Sequence, residues 1–317
     1  MKVLSRVVAT VTATLLGGCE GLGSNDAAGP DVATSAAGDV QADEPRARAP
    51  VPFFEDNRYV LPESHVNVVK KMRFTSLIEP GVALGFDLDG ETTPEGASKS
   101  CGHGDLKGVD GEEGIDNQLA KIWSTLEPLV GTQVDALLQG AINEGRVLIM
   151  FELTGVEDLR NDDSVTLNVY RGLLDPDVGT FGTIAPDQTF EMDYGKPVST
   201  VENVRIEDGR LEAGPVVLQI PIAILDLDIV AELHFGRVRL NVGDDGMMAG
   251  YIGGALNLEE VIGALLDTGA EAETRLVQPI FESNADMEPV DGVCTFMSIG
   301  MTIEGTRAFV VRDRAKE

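Results

Sequence analysis

The chain has 317 residues with 24 Lys and Arg against 53 Asp and Glu, a formal net charge of −29 and a pI near 4.3. That balance argues against nucleic acid as a partner, because phosphate contacts need clustered Lys and Arg. Hydrophobic residues at 43% suffice for a globular core, and the mean hydropathy of +0.02 excludes a chain made of several spanning helices.

At the N-terminus Lys2 and Arg6 precede an apolar, uncharged stretch over 7–16, followed by Leu16-Gly17-Gly18-Cys19. A stretch this short, basic on its N-terminal side only, predicts an export signal rather than a spanning helix. Residues 20–50 hold no aromatic residue and many Ala and Gly. Such a segment cannot offset its ordering entropy by burial, so a disordered tether is expected. Phe53-Phe54 marks the start of the folded part. The expected divisions are 1–18 signal, 19–51 tether, 52–312 a single β-rich domain and 313–317 a tail.

Within the domain, 66–78 and 81–87 read as strands and 87–115 as a polar loop. Leu119, Ile122, Trp123 and Leu126, then Val130, Val134, Leu137, Leu138 and Ile142, recur at helical spacing. Asp116 or Asn117 supplies a cap, Gly145 a stop, and Pro128 an end or a kink. The apolar run 147–151 predicts a strand buried on both faces. Val165, Leu167 and Val169 alternate with polar residues, and Asp208-Gly209 predicts a hairpin turn. Leu225, Leu227, Ile229, Ala231, Leu233 and Phe235 form one face of a further strand, with Asp226, Asp228, Glu232 and His234 on the other. Arg237 and Arg239 then alternate with Val238, Leu240 and Val242, which predicts cross-strand Arg–carboxylate pairs. Asn257 with Glu260 resembles a capping box. A helix is expected over 270–283 and a closing strand over 294–303. The sum is α+β: a mostly antiparallel β-sandwich or open barrel with a few covering helices.

Two cysteines remain after Cys19. Cys101 and Cys294 are expected to pair in an exported chain. The competing use of Cys101 is a metal site with His103 and Asp105, a possible ligand spacing without an evident fourth ligand. The loop 87–117 carries nine carboxylates against Lys99 and Lys107, and seven glycines. Oxygen donors on a backbone turned by glycine suit calcium, and Asp87, Asp89, Asp105 and Asp110 are the candidate ligands. An EF-hand is excluded: with Gly90 as the central glycine, the first and last ligand positions fall on Gly85 and Gly96. Hydrolase and phosphate-loop motifs are absent. His234 among carboxylates reads as part of a surface charge ladder.

Leu16-Gly17-Gly18-Cys19 resembles the lipobox of bacterial lipoproteins. The resemblance implies cleavage before Cys19, diacylglyceryl and acyl chains on that residue, and attachment to a membrane of the cell envelope. Glu20 favours the outer one, with the domain facing periplasm or exterior. Gly114-Ile115-Asp116-Asn117-Gln118-Leu119 and Asn161-Asp162-Asp163 resemble predicted outer-membrane lipoproteins of unknown function, which imply no activity. The expected function is a lipid-anchored, non-enzymatic binding or structural module that meets an envelope protein or glycan, with calcium ordering the 87–117 loop. The alternatives are a metal-dependent hydrolase on Cys101, His103 and Asp105, and a carrier of hydrophobic ligands such as lipid.

Overall fold

Strands dominate the chain, as the alternating patterns predict. The computed structural model describes residues 57–61, 63–196, 198–224, 227–269 and 271–316. The lipobox, Cys19 and the 19–51 tether lie outside these residues. In chain order the strands are β1 (Arg58–Tyr59), β2 (His65–Phe74), β3 (Leu148–Thr154), β4 (Asp162–Leu173), β5 (Gln188–Met192), β6 (Ser199–Glu207), β7 (Arg210–Ile224), β8 (Leu227–Val242), β9 (Met248–Asn257), β10 (Met287–Val290) and β11 (Val293–Asp313). The helices are α1 (Gln118–Asn143), α2 (Leu258–Asp267) and α3 (Glu271–Glu282), with a single 3-10 turn over Ser98–Ser100.

The ladder runs β11–β2–β3–β4–β6–β7–β8–β9 and returns to β11, every pair antiparallel. The sheet is therefore a closed ring of eight strands. β5 lies parallel to β11 and antiparallel to β4, so it closes a smaller ring, β11–β2–β3–β4–β5, inside the same sheet. The narrowest seam is between β6 and β7, which pair only at Ile206↔Leu211 and Glu207↔Arg210 beside the turn. Asp208 and Gly209 in that turn both have positive φ, 51° and 77°, as a two-residue hairpin of this hand requires.

Side-chain alternation builds the core. The first six positions of β3 are all buried, as the run 147–151 predicts. On β8 the buried hydrophobic side chains are Ile229, Ala231 and Leu233, then Val238, Leu240 and Val242. That change from odd to even requires one extra residue, and the register shifts between His234 and Arg237. Phe235, expected on the dry face, is turned out by this bulge: its φ is +55° and it is 40% exposed. Gly236 follows it because a Cβ there would lie 2.3 Å from the Val216 carbonyl oxygen.

α1 is one helix that continues through Pro128, and the Asn117 side chain caps it by accepting from the Ala120 amide at 3.1 Å. It packs against β2, β11 and β7, with Trp123 against Phe74 at 5.3 Å between ring centroids and with Leu138 and Ile142 buried. Asn257 caps α2 through the Glu259 and Glu260 amides, and α3 packs on α2. The strand expected over 81–87 does not form. Isolated bridges hold this stretch instead, Glu79↔Val82, Val82↔Lys107 and Phe86↔Asp116, over a small cluster of Ala83, Leu106, Ile115 and Ala120. The closing strand runs ten residues past its expected end, to Asp313.

One charge is fully buried in this architecture. Glu152 of β3 has no exposed surface and pairs with Arg312 near the end of β11; Asn168 donates to it at 3.4 Å. Burial pushes the Glu152 carboxyl up and Arg312 opposes that shift. Arg312→Met should cost about 3–5 kcal/mol by leaving this carboxylate uncompensated. Urea unfolding would also show Glu152→Gln added to Arg312→Met recovering part of the loss.

Candidate functional site

The polar loop between β2 and α1 lies on the outer face of β8, β9 and β11. Gly253 of β9 makes the approach possible: a Cβ there would come within 2.7 Å of the Phe86 ring. Phe86 packs on Tyr251 at 5.1 Å, and the guanidinium groups of Arg237 and Arg239 each lie 5.6 Å from its ring centre. Arg239 is only 8% exposed. It donates to Glu212 at 2.6 Å, to Glu112 at 2.9 Å and to the Tyr251 hydroxyl at 2.5 Å. Burial opposes its charge, but the Glu112 and Glu212 hydrogen bonds raise its affinity for the proton overall. Arg237 donates to Glu212 at 2.6 Å and to the Asp87 carbonyl at 3.3 Å. Glu212 lies directly opposite Arg239 across β7 and β8, one of the expected cross-strand pairs.

Beyond this clamp the loop turns back on itself and brings three carboxylates together. Oxygens of Asp87, Asp89 and Asp116 lie within 4.8 Å of one another. Asp87 accepts from the Gly90 amide at 2.7 Å and Asp89 from the Glu91 amide at 2.8 Å, two short turns that fix the carboxylates' directions. Asp116 is buried and accepts from the Leu88 amide at 2.7 Å. Burial pushes its carboxyl up to about 8, and the charges of Asp89, Asp105 and Asp286 add to that rise against the Leu88 bond. Asp89 is raised by burial and by Asp87. Asp105 is raised by burial, with Asp89 and Asp87 contributing, although the Thr93 amide donates to it at 2.5 Å. The Thr93 hydroxyl is buried without a hydrogen-bond partner.

Of the four expected ligands, Asp87 and Asp89 converge and Asp105 sits within their field. Asp110 lies apart: it is ion-paired with Arg210 at 3.2 Å, because its end of the loop leans on the arginines of the barrel wall. Asp116 takes its place. In sequence it reads as a residue of the α1 cap, and Asn117 fills that role. The Phe86↔Asp116 bridge and the Leu88 amide, both tertiary contacts, place Asp116 beside Asp87.

Cys101 and Cys294 form a disulfide with 5.9 Å between Cα atoms, which ties the loop to the start of β11. Both ring nitrogens of His103 are engaged, Nδ1 with the Gln118 amide at 3.0 Å and Nε2 with the Ser283 carbonyl at 3.1 Å. The ligand set of the hydrolase alternative is therefore not assembled. Asp286 accepts from the Ser298 amide and hydroxyl at 2.8 and 2.5 Å, and Ser298 in turn accepts from the first amide of α1. Burial pushes Asp286 up to about 6. His234 meets Glu260 at 3.1 Å, a partner from α2 rather than from its own strand. A cavity between β3, β4 and β7, lined by Tyr170, Arg171 and Gln219, has room for about one water molecule and not for an acyl chain.

Three carboxylates this close repel one another in water and favour either a shared proton or a divalent cation. A hard cation would take its remaining oxygens from backbone or solvent, since calcium needs about 6–8. No protein-family model, curated protein or solved structure matches the chain.

The Asp116 shift sets a pH dependence. Its ordinary value is 3.8, so between about pH 4 and pH 8 the unfolded chain ionises this group while the folded chain keeps it protonated. Stability without a divalent cation should fall as pH rises through that window. Asp116→Asn should raise the melting temperature at pH 8 and flatten the slope between pH 5 and pH 8, as scanning calorimetry in chelator would register.

Proposed function

We propose that the protein is a lipid-anchored, non-enzymatic module of the cell envelope whose loop 87–117 is ordered by calcium and offered to a protein or glycan partner. The anchor reading rests on the export-type N-terminus and on Cys19 after Leu16-Gly17-Gly18. Among the described residues no helix is long and apolar enough to cross a membrane. The calcium reading is carried by one observation, the convergence of Asp87, Asp89 and Asp116 within 4.8 Å.

Three fixed points support the same reading by holding the loop in place around the cluster. The Cys101–Cys294 bond secures its middle, Glu112 on Arg239 secures it to the barrel wall, and Asn117 secures the entry to α1. A scaffold of this kind leaves the cation little reorganisation to impose. The exposed surface around it is acidic, so a bound cation would convert a repulsive patch into one able to meet hydroxyl-rich or acidic groups.

The test is thermal unfolding of the full chain with chelator, then with calcium, magnesium or zinc. Calcium at a hundredfold excess over its Kd should raise the melting temperature by roughly 5 °C or more. Asp87→Asn with Asp89→Asn should abolish that rise and leave the chain in chelator at least as stable as wild type, because asparagine keeps both turn-forming acceptors. Equal loss of stability with and without calcium, or an equal response to magnesium, would sink the calcium reading.

A further inference from the structure

Phe181 is 95% exposed, the highest value among the exposed large apolar side chains of the described residues. It does not sit on a loose end. Val178 and Ile184 bridge beneath it, the Gly179 amide donates to the Thr183 carbonyl at 2.9 Å, and the Gly182 amide donates to the Gly179 carbonyl at 3.0 Å. Asn143 at the end of α1 donates to the Gly182 carbonyl at 2.8 Å, and Ile184 is buried. Gln188 accepts from the Asp177 amide at 2.6 Å and donates to the Ala185 carbonyl at 2.7 Å. Leu173, Leu174 and Val178 on the same stretch are exposed as well, and Leu174 holds a φ of +96°, a conformation costly for a residue with a side chain. A braced finger of four exposed apolar side chains is unusual on a chain of charge −29.

The position of the finger says what it meets. It ends at β5, which lies beside residues 308–311 of β11; β1, the first described strand, pairs with residues 312–313 of the same strand. The finger's base, beside Ala308, and the point where the preceding chain joins, beside Asp313, are thus about 17 Å apart along β11. A flexible chain as long as the 37 residues between Cys19 and Asn57 has a typical span of roughly 30–35 Å, which brings an anchoring bilayer within reach. We propose that the 174–187 loop docks on that bilayer, with Phe181, Leu174 and Val178 entering its interfacial region; this rests on the anchor reading above. Tethering supplies the effective concentration that lets a small apolar contact persist. Asp175 and Asp177 flank the finger and Asp187 is paired with Arg307. The contact is therefore apolar and suits a zwitterionic surface rather than an anionic one.

The experiment uses the full, matured chain carrying Phe181→Trp, reconstituted into phosphatidylcholine vesicles with brominated acyl chains. Trp123, buried against Phe74, is the internal reference, and wild type reports it alone. The proposal expects the emission of the introduced indole to shift to the blue and to be quenched at least twofold, equally at low and high salt, with wild type unaffected. Quenching only on anionic vesicles, lost in salt, would overturn the apolar contact. An intact mass without lipid on Cys19 would overturn the anchor reading and the docking with it. A lipidated chain whose introduced indole stays unquenched would overturn the docking alone and direct attention to a protein partner for the finger.

Discussion

A sheet closes on itself only if some strand can give both edges to partners along its length. β11, with 21 residues, meets that constraint here. One edge carries β10, β2 and β1 in turn, and the other carries β9 and β5. Both rings of the sheet pass through it. Its alternate residues Met297, Ile299, Met301 and Ile303 enter the core, while Ser298 and Gly300 face the start of α1. The barrel and the platform for the loop are two faces of one strand.

The loop is joined to that platform mainly by charge. Arg239 is held between Glu212 on the barrel and Glu112 on the loop, with Phe86 and Tyr251 shielding it from water. Low exposure strengthens such pairing, and Arg237 on the same Glu212 balances the two carboxylates with two guanidinium groups. The cluster of Asp87, Asp89 and Asp116 stands on the same loop, with Lys99 the cation acting on Asp89. The loop thus treats its acids in two ways: arginine meets them at the wall, and burial favours the protonated form of Asp116 at the turn.

Much of this was legible from residue order. Periodicity located α1, the Asn257 cap located α2, and the Asp208-Gly209 pair located a hairpin, because each depends on contacts between near neighbours in the chain. The Cys101–Cys294 pair followed from cysteine count and expected export. The β8 bulge was written in the sequence as a change of parity between Leu233 and Val238, which a reading by simple alternation passes over. Other features depend on contacts distant in sequence. β5 reads as an ordinary polar stretch until it is placed between β4 and β11. The stretch 81–87 alternates like a strand, yet it is held by isolated bridges to Glu79, Lys107 and Asp116 and serves as the base of the loop. Asp116 joins Asp87 for the same reason: the Phe86↔Asp116 bridge and the Leu88 amide hold it there, while Arg210 draws Asp110 to the barrel wall.

The order in which this fold can be made follows from where its closing strand lies. β11 is last in the chain and pairs with β2, the first long strand, and its Cys294 waits for a partner 193 residues upstream. Neither ring can shut, and the loop cannot be locked, until the residues of β11 are present. Contacts of such long sequence separation make for slow folding, with sheet edges open in the meantime. The fold is therefore committed by β11, and a chain cut short within that strand would lose the barrel as a whole rather than one strand.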